Sequence, residues 1–519
     1  MSNYRIGVDV GGTNTDAALM LEDEVVATQK MPTTSDVSSG IIAAIKSVFE
    51  QSSVTPDMIK CVMIGTTHFT NAFVERKNLL PVGIIRIAEP AAKGVPPLID
   101  WPEDFRNVIG THIHSLQGGY NYDGSINSEL DEPALYEVAG KLKARDIKTV
   151  AITGLFSSVN DKMEQRAAQI IHSVLPKCSV TLSSSIGKMG LLERENAAIM
   201  NASLAVLSKH VVQSFKAALK ALRISAPFFI SQNDGTLMSA DYVEKYPVLT
   251  FASGPTNSMR GAAYLSGLKD AIVADIGGTT TDIGVLSGGF PRESAVSVDI
   301  GGVRTNFRMP DIFAIGLGGG SIVKTNPISI GPQSVGYELS HEALVFGGET
   351  LTASDIAVAS GYANFGDKAK VNHLDKAKIK AAVEHIHSIL AEGVDRMKTS
   401  AKPVPLILVG GGSVLIHNEI PGISEVIIPK NADVANAIGA SIAQIGGETD
   451  RVYSYEDLGR DKSIEMAISQ AKKVAINAGA EPEGIEVTDM EELPIPYMPG
   501  EAVRLKVKVA GHLNIGSMS

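Results

Sequence analysis

Apolar positions follow two different periods along this chain. Short runs with the two-residue period of strands are followed by longer segments in which apolar residues recur every three to four positions, as in helices. The pattern predicts strands at 4–10, 14–21, 24–30, 59–68, 79–87, 149–156, 179–187, 227–239, 405–412 and 502–511. It predicts helices at 36–51, 160–175, 189–222, 373–397, 431–446 and 462–477. Strands and helices that interleave in this way predict an α/β fold.

The first three strands predict an antiparallel meander, and a second meander begins at residue 271. Between the two lies the longest helical pattern, 189–222, in which neither Gly nor Pro follows Gly190. We expect this segment to be a helix that connects two halves. A chain of 519 residues is too long for one core. The predicted domains are 1–188, 189–450 and a small α+β segment at 451–519.

Each meander turns at a pair of glycines flanked by acids. Residues 9–16 are Asp-Val-Gly-Gly-Thr-Asn-Thr-Asp, and residues 275–282 are Asp-Ile-Gly-Gly-Thr-Thr-Thr-Asp. Six of the eight positions are identical, and the second motif starts 266 residues after the first. One copy alone is compatible with an ordinary hairpin turn, because Gly and Asp are common turn residues. Two copies in register favour a duplicated binding site.

The two motifs have the composition of a phosphate clamp. Glycine lets a ligand approach the backbone closely, and turn amides donate to phosphate oxygens. An acid that ends a strand can hold Mg²⁺ through water or orient an attacking group, so Asp9 and Asp275 are the predicted metal ligands. The predicted catalytic acids are Asp9, Asp16, Asp275 and Asp282. The predicted nucleotide contacts in the hairpins are Gly11, Gly12, Thr13, Asn14, Thr15, Gly277, Gly278, Thr279, Thr280 and Thr281.

Two further glycine-rich loops follow apolar strands, at 314–323 and 408–415. A tight strand connection explains each loop on its own, whereas close approach to a phosphate or a flat ligand is the functional interpretation. The predicted nucleotide contacts there are Gly318, Gly319, Gly320, Gly410, Gly411, Gly412 and Ser413. The sequence lacks G-x-x-x-x-G-K-[ST], and no G-x-G-x-x-G follows its first strand. P-loop and dinucleotide-binding folds are therefore disfavoured.

Composition narrows the classes of function. A formal net charge of −11 opposes sequence-independent binding of nucleic acid, which needs a basic surface. The sequence lacks an apolar run of about 18 residues, the length of a membrane span, and its start does not resemble a signal peptide. We therefore expect a cytoplasmic protein without membrane contacts, in which Cys61 and Cys178 are not joined by a disulfide.

The duplicated hairpin, the late V-G-G-G-S loop and an A-I-G-A-S helix together resemble the ATPase superfamily of actin, sugar kinases and heat-shock chaperones. Within it, the chain resembles the A-type subunit of the ATP-dependent hydantoinase/5-oxoprolinase family. Matching segments occur in family order from residue 4 to about 511: GVDVGGTNTD, GTTHFTNA, ERENAAIMNASL, SQNDG, SGPTNSMRGA, ADIGGTTTDIG, MPDIFAIGLGGGSI, GPQSVG, LTASDIAVASG, VGGGS and EELPIPYMPGEAVRLKVKVAG.

This resemblance implies two actin-like, ribonuclease H-like domains that flank a nucleotide cleft, with ATP and Mg²⁺ as cofactors. It implies phosphorylation of the carbonyl oxygen of a cyclic amide, such as a hydantoin or an oxoproline-like lactam. A B-type subunit would complete the hydrolysis, so we expect a homo- or hetero-oligomer. Alternatives are an ATP-dependent ketone carboxylase subunit, a small-molecule kinase, and a nucleotide-gated clamp or reactivating chaperone.

Residues in GTTHFTNA are implied as contacts to the substrate or the γ-phosphate, with capping of a strand end as the structural alternative: Thr66, Thr67, His68 and Asn71. The chain departs from the family pattern in three segments. The usual SGPAGG is SGPTNS at 253–258, a PGPACYG-like stretch is replaced by residues 339–349, and a common His corresponds to Phe313. These departures concern the substrate pocket more than the ATP site.

Three other groups of polar residues have simpler interpretations. His112 and His114 share one face of a strand, but two imidazoles are fewer ligands than Zn²⁺ requires. Residues 193–195, Glu-Arg-Glu, predict a solvated helix face. Asp355, in the segment TASD, is expected to cap a helix.

Overall fold

The computed structural model describes residues 3–12, 14–33, 37–294, 296–417, 419–496 and 500–514. Its strands are β1 Tyr4–Val10, β2 Asn14–Leu21, β3 Glu24–Pro32, β4 Ile59–Thr66, β5 Gly83–Glu89, β6 Ile113–Gln117, β7 Gly119–Tyr120, β8 Ile126–Ser128, β9 Thr149–Gly154, β10 Ser179–Leu182, β11 Phe228–Ser231, β12 Thr236–Ser239, β13 Ala271–Ile276, β14 Thr281–Ser287, β15 Phe290–Pro291, β16 Val298–Ile300, β17 Val303–Thr305, β18 Ile312–Ile315, β19 Ser321–Thr325, β20 Ile328–Ser334, β21 Val404–Val409, β22 Ile423–Ile427, β23 Gln444–Ser454, β24 Glu486–Pro494 and β25 Ala502–Gly511.

The helices are α1 Val37–Glu50, α2 His68–Val74, α3 Glu103–Ile109, α4 Glu132–Ala144, α5 Lys162–Val174, α6 Leu191–Ser203, α7 Ala205–Ala221, α8 Ala240–Lys245, α9 Ser253–Ser266, α10 Leu339–Glu342, α11 Ala353–Ala359, α12 Lys376–Met397, α13 Ala435–Ser441, α14 Tyr455–Leu458 and α15 Arg460–Asn477. The predicted α/β class is therefore confirmed. Both predicted meanders form, as β1–β2–β3 and as β13–β14–β15.

Each meander belongs to a large mixed sheet. The first sheet has the order β24-β25-β23-β12-β11-β4-β1-β2-β3, and the second has the order β15-β14-β13-β21-β22 with β18 paired to β14. In both sheets the first strand of the meander has a parallel neighbour, β4 beside β1 and β21 beside β13. A separate four-stranded parallel sheet has the order β10-β9-β5-β6. The two hairpin motifs therefore occupy equivalent places in two similar sheets.

Two helices that contain small residues, α9 and α13, pack against each other beside both large sheets. α13 packs on β1 and β2, whereas α9 packs on β13 and β21. The backbones touch at this crossing: a Cβ at Gly261 would lie 1.9 Å from the Ala435 carbonyl oxygen, and one at Gly439 would lie 1.8 Å from the Asn257 carbonyl oxygen. Glycine is therefore required at both positions for the helices to approach this closely.

The predicted connecting helix 189–222 is wrong as a single element. It is divided at the buried Leu204 into α6 and α7. Almost all of α6 is buried against the four-stranded sheet, whereas α7 buries only one face, mainly against α1 and α8. The break needs neither Gly nor Pro, because tertiary packing turns the chain; apolar spacing alone could not reveal it.

The prediction of a solvated face at 193–195 is also wrong for two of its three residues. Arg194 and Glu195 are 2% and 0% exposed. The Glu195 carboxylate pairs with the buried Arg86 guanidinium on β5, and Arg194 donates to the Gly154 carbonyl oxygen on β9 at 2.7 Å. Glu195 is therefore buried in an ion pair and Arg194 is buried with hydrogen-bonded acceptors, and both residues join α6 to the four-stranded sheet.

The helix predicted at 431–446 is too long, since α13 ends at Ser441 and β23 begins at Gln444. β23 pairs with β12 and β25, and these partners, distant in sequence, override the local helical pattern. β23 also runs across the predicted boundary at 450/451, and β24 and β25 extend the first sheet. The predicted domain limits remain a prediction, but the sheets do not follow them.

Two smaller predictions can be compared with the structure directly. Asp355 forms a capping box with Thr352 at the start of α11, as expected. Cys61 and Cys178 are both buried free thiols. None of the helices in the described ranges is long and apolar enough to cross a membrane.

Candidate active site

The hairpin acids occupy matching positions in the two sheets. Asp9 lies directly opposite Asp16 in the β1–β2 pair, and Asp275 lies directly opposite Asp282 in the β13–β14 pair. Each turn is closed by an equivalent backbone hydrogen bond. The amide of Gly11 donates to the carbonyl oxygen of Asn14 at 3.0 Å, and the amide of Gly277 donates to the carbonyl oxygen of Thr280 at 2.9 Å. The duplication in sequence is therefore also a duplication in geometry.

A glycine makes room for the first acid of each hairpin. Gly65, on β4, lies beside Asp9 of β1, and a Cβ at Gly65 would be 2.1 Å from Asp9 Oδ1. Gly410 follows β21, and a Cβ there would be 2.3 Å from Asp275 Oδ1. Gly410 also has a φ of +82°, a backbone conformation that residues other than glycine rarely adopt. The late V-G-G-G-S loop therefore contacts the second acid, in the way that the GTTH segment contacts the first.

Sequence reasoning missed three residues that hold the first pair of acids. Asn257 Nδ2, on α9, donates to Asp9 Oδ1 at 3.2 Å. Asn436 Nδ2, on α13, lies 3.1 Å from Asp9 Oδ2 and 2.7 Å from Asp16 Oδ2. Lys30 Nζ, on β3, lies 2.8 Å from Asp16 Oδ2. Asn436 immediately precedes the A-I-G-A-S segment that matches the family pattern, which is the signal that could have identified it. Asn257 lies in SGPTNS, where the chain departs from the family pattern, so the match gave no signal for it.

Burial raises the pKa values of all four acids, and repulsion by a neighbouring acid adds to the shift for Asp9, Asp16 and Asp282. Burial, followed by the charge of Asp16, raises the pKa of Asp9 to about 6. Burial, followed by the charge of Asp275, raises the pKa of Asp282 to about 7. Burial also raises the pKa values of Asp16 and Asp275, and the Asp275 charge contributes to the raised pKa values of Asp9 and Asp16. The first and second hairpins therefore lie within electrostatic reach of each other.

The donor set suits a hydrated cation. Asp16 Oδ1 and Asn257 Oδ1 are buried acceptors without a hydrogen-bond partner among the described residues, and both belong to side chains that surround Asp9. In the same ranges, no three His, Cys, Asp or Glu side chains are placed to ligate one ion directly. Mg²⁺ keeps several of its waters and needs only one or two carboxylates, so this arrangement fits it.

Replacing Asp282 with Asn should stabilise the protein in EDTA at pH 8 by roughly 2 kcal/mol and have little effect at pH 4. The folded-state pKa of about 7 exceeds the ordinary value of 3.8, so the folded state holds a proton that the unfolded state releases. Stability then falls as pH rises from about 4 to 7. The estimate is about half of the full shift, because Asp282 is partly open to solvent.

Urea unfolding of both proteins at the two pH values measures this effect. The exposed Asp23 is a matched control, and Asp23→Asn should change neither curve by more than about 0.5 kcal/mol. Equal free energies of unfolding for Asp282→Asn and wild type at pH 8 would show that folding does not raise the pKa of Asp282.

Four residues implied as substrate contacts lie beside the first hairpin: Thr66, Thr67, His68 and Asn71. The Thr67 amide donates to the Val10 carbonyl oxygen at 3.2 Å, and the Asn71 amide nitrogen would lie 3.7 Å from a Cβ at Gly12. Thr66 Oγ1 lies 2.6 Å from His68 Nδ1, and burial lowers the pKa of His68. A neutral His68 and exposed Asn71 therefore stand close to the turn that is predicted to hold phosphate.

Some predicted nucleotide contacts are already engaged within the protein. Thr281 Oγ1 donates to the Leu317 carbonyl oxygen at 2.7 Å, and Thr15 is fully buried beside Thr33. The amides of Gly319 and Gly320 donate to the carbonyl oxygens of the second hairpin turn at 3.0 and 2.7 Å. The loop 318–320 is buried and packs directly against that turn, since a Cβ at Gly318 would lie 2.6 Å from the turn's backbone.

The remaining predicted contacts border the hairpins or the late loop. Gly11, Asn14, Gly277 and Gly278 are half-buried, whereas Gly12, Thr279, Thr280 and Gly411 are exposed and open to a ligand. Gly412 and Ser413 are buried behind Gly411, and Gly412 packs on the second turn. Thr13 lies outside the described residues. His114 lies on β6 and His112 lies immediately before it, far in sequence from both hairpins. His112 Nδ1 is 3.0 Å from Arg145 Nη1.

Two solved structures, each of an ATP-dependent enzyme, have the same overall fold as this chain. The fold matches a crystal structure of the ATP-dependent caprolactamase from Pseudomonas jessenii with a TM-score of 0.79 and 20% identity, covering 98% of this chain and 88% of that chain. It matches nucleotide-free acetone carboxylase with a TM-score of 0.69 and 19% identity, covering 99% of this chain and 88% of that one. At these identities the likeness shows a common mixed α/β fold.

Family models define the chain more narrowly. Residues 5–175 match the hydantoinase/oxoprolinase N-terminal region, and residues 194–397 match hydantoinase/oxoprolinase. The two matches together cover well over half of the chain, which therefore belongs to the hydantoinase/oxoprolinase family, as its sequence motifs predict.

Individual relatives carry out two kinds of reaction. The caprolactamase subunit alpha of Pseudomonas jessenii is 27% identical over 419 residues, which cover 75% of this chain and 58% of the relative. The acetone carboxylase beta subunit of Xanthobacter autotrophicus is 24% identical over 577 aligned positions, which cover 98% of this chain and 79% of the relative. The chain thus spans between about half and four-fifths of the length of these relatives.

Proposed function

We propose that this chain uses ATP to activate the carbonyl oxygen of a cyclic amide, such as a hydantoin or a lactam, for hydrolysis. The observation that carries the proposal is the pair of equivalent hairpins, in which the charge of Asp275 contributes to the raised pKa of Asp9. The exposed turn residues Gly12 and Thr279 offer backbone to a phosphate chain between them. Membership of the hydantoinase/oxoprolinase family and likeness to a caprolactamase subunit support the same reaction.

The proposed step forms a bond between the carbonyl oxygen and the γ-phosphorus of ATP and breaks the bond from that phosphorus to ADP. An amide carbon is a poor electrophile, and its O-phosphorylated form can be attacked by water. After this water has added, the carbon–nitrogen bond breaks to leave an amine and an acyl phosphate on the opened chain. A second water then displaces phosphate and yields the open-chain acid. Phosphoryl transfer requires mainly positioning and neutralisation of charge.

The residues of the site have distinct proposed roles in this step. Asn257 and Asn436 orient the Asp9 carboxylate, and Lys30 compensates the charge of Asp16. The turn amides around Gly12 and Thr279 hold the phosphates, and Thr67 with Asn71 orients the ring beside them. Bound Mg²⁺, held through water by Asp9 and Asp275, would supply positive charge at the phosphates.

We further propose that the chain acts in the cytoplasm, together with a second, B-type subunit that completes the hydrolysis. The relatives named above are themselves designated as alpha and beta subunits. Purified chain that hydrolysed a cyclic amide by itself at the full rate would contradict this part of the proposal.

A second candidate function is activation of a ketone for carboxylation, as one subunit of an ATP-dependent carboxylase. It is favoured by the acetone carboxylase beta subunit, whose alignment covers 98% of this chain. The hairpins suit this reaction as well, because it too would use ATP to activate a carbonyl compound. The two differ in their second substrate, which is water for a lactam and bicarbonate for a ketone.

ADP release in the presence of Mg²⁺ should increase at least about tenfold when the correct carbonyl compound is added, because ring and phosphate are then held in line. The test compares hydantoin, 2-pyrrolidinone, 5-oxoproline and caprolactam with acetone and acetophenone, each with and without bicarbonate. Stimulation by a ring without bicarbonate supports the hydrolase. Stimulation by a ketone that needs bicarbonate supports the carboxylase, and ATP turnover that no carbonyl compound changes contradicts both.

A further inference from the structure

A cavity in the structure is lined by residues outside both hairpins. One group of its lining residues follows β9 and β10, and another belongs to the C-terminal strands β23 and β25. Its volume is about 590 Å³, within the range of small-molecule sites. Ser158 and Lys188 contribute to one wall, and Asp450, Arg451 and Arg504 contribute to the opposite wall. None of the nucleotide or substrate contacts predicted above lines it. The cavity is therefore distinct from the predicted nucleotide and substrate contacts.

Most charges in its walls are already paired. The Arg504 guanidinium makes two bonds to the Asp450 carboxylate, at 2.7 and 2.5 Å. Arg308 pairs with Asp234 at 2.6 Å and also with Glu448. Bidentate and shared pairs of this kind neutralise both partners. These carboxylates are therefore not available to Lys188.

Lys188 lacks a carboxylate of its own. The nearest carboxylate oxygen among the described residues is Glu293 Oε2, 3.7 Å from its Nζ and beyond hydrogen-bond distance. The same Glu293 oxygen lies 2.9 Å from Lys506 Nζ, and the other Glu293 oxygen pairs with Lys508. Arg308 Nε stands 3.8 Å from Glu293 as well. The Glu293 carboxylate thus lies near four cationic side chains. Among these four, Lys188 alone has no carboxylate oxygen of a described residue within hydrogen-bond distance.

The backbone of Lys188, at the wall of the cavity, is held in place by three hydrogen bonds. The Lys188 carbonyl oxygen accepts from Arg194 Nη1 and Asn306 Nδ2, both at 3.3 Å, and its amide donates to Asn306 Oδ1 at 3.3 Å. Burial, followed by the charges of Lys506 and Arg308, lowers the pKa of Lys188 to about 8. An anion beside Lys188 would relieve this repulsion.

Two further donors on the cavity wall are unused. Ser158 Oγ is buried and lacks a hydrogen-bond partner among the described residues. Arg451 is exposed at the rim and forms no ion pair with another described residue. We propose that the cavity binds a small carboxylate anion, with Lys188 and Ser158 as its donors and Arg451 at the entrance.

Calorimetric titration of the full chain without nucleotide tests this site at pH 7, where Lys188 is protonated. The probes are succinate, glutarate and adipate, with the corresponding diamides as uncharged equivalents. At least one dicarboxylate should bind, and its diamide should not. Lys188→Gln should weaken that binding by at least about tenfold, as should a shift of the wild type to pH 9.5, because both remove the ammonium.

Lys177 provides the matched control, since it is exposed and forms no ion pair with a described residue. Lys177→Gln changes the net charge equally and should leave the affinity unaltered. Ser158→Ala and Arg451→Gln test the same site should Lys188→Gln fail to fold. Equal affinity in Lys188→Gln and wild type, absence of binding by all three dicarboxylates at millimolar concentration, or tighter binding of inorganic phosphate would overturn the proposal.

Displacement distinguishes two sources of the carboxylate, and this arm alone rests on the proposed function. If 5-oxoproline displaces the bound dicarboxylate and 2-pyrrolidinone does not, the cavity recognises the acid group of a substrate. If neither ring displaces it, the cavity serves a separate anionic effector. Both results require binding that depends on Lys188, so they support the site even where the ring specificity proposed above proves wrong.

Discussion

Replacing Asp275 with Asn should reduce carbonyl-stimulated ADP release by at least about 1,000-fold. The change removes the charge that lies opposite Asp282 and within electrostatic reach of Asp9, while the turn backbone that holds the phosphates stays in place. Binding of ATP should therefore change by less than about tenfold, because many turn amides contribute to it. The measurement is steady-state ADP release together with equilibrium binding of a fluorescent ATP analogue.

Asp311 is a suitable control for this variant, since it is a partly exposed acid that immediately precedes β18 of the same sheet and pairs with Arg292. Asp311→Asn should keep at least about half of the activity. Full activity in Asp275→Asn would remove the second hairpin from the mechanism. A parallel loss in both variants would show that the assay reports damage to the sheet instead of chemistry.

Replacing Gly261 with Ala should destabilise the protein by more than about 3 kcal/mol and also abolish activity. The new Cβ would lie 1.9 Å from the Ala435 carbonyl oxygen, so α9 and α13 must separate. These two helices carry Asn257 and Asn436, which hold the Asp9 carboxylate from both sides. Urea unfolding measures the stability, and ADP release under folding conditions measures the loss of alignment.

Gly140 provides a contrast within another helix. It lies inside α4, and a Cβ there would meet no atom within 4 Å. Gly140→Ala should therefore raise the free energy of unfolding by about 0.5–1 kcal/mol, because alanine loses less backbone entropy in a helix. Similar stabilities of the two alanine variants would mean that the helix crossing relaxes easily and does not set the geometry at Asp9.

The elements that the sequence predicted well are those whose signal is local. Both meanders, the helices α5, α12 and α15 and the final strand β25 were recognised because apolar periodicity and turn residues lie within the segment itself. β24, which is exposed along most of its length at the edge of the first sheet, was missed because it shows no buried alternation. The break at Leu204 and the start of β23 were missed because distant packing partners impose them.

The candidate site shows the same division. Asp9, Asp16, Asp275 and Asp282 were recognised because the motif is repeated in register. Thr15, Thr281 and the loop 318–320 were predicted as ligand contacts from their residue types alone. The structure turns them inward, where they bond to Thr33, the Leu317 carbonyl oxygen and the second turn. Residue type predicts which groups are able to donate, whereas backbone path decides which of them remain free.

By itself, the sequence determined the duplication, the α/β class, the family and the four acids, because each of these depends on residues that are close together or that recur in the same order. Only the tertiary structure decided that Asn257 and Asn436 hold Asp9, and that Arg194 and Glu195 are buried with polar partners. It also decided that Lys188 lines a cavity without a carboxylate of a described residue within hydrogen-bond distance. Each of these depends on contacts between segments separated by many residues. Their approach follows from the packing of whole sheets and helices, which local sequence patterns do not encode.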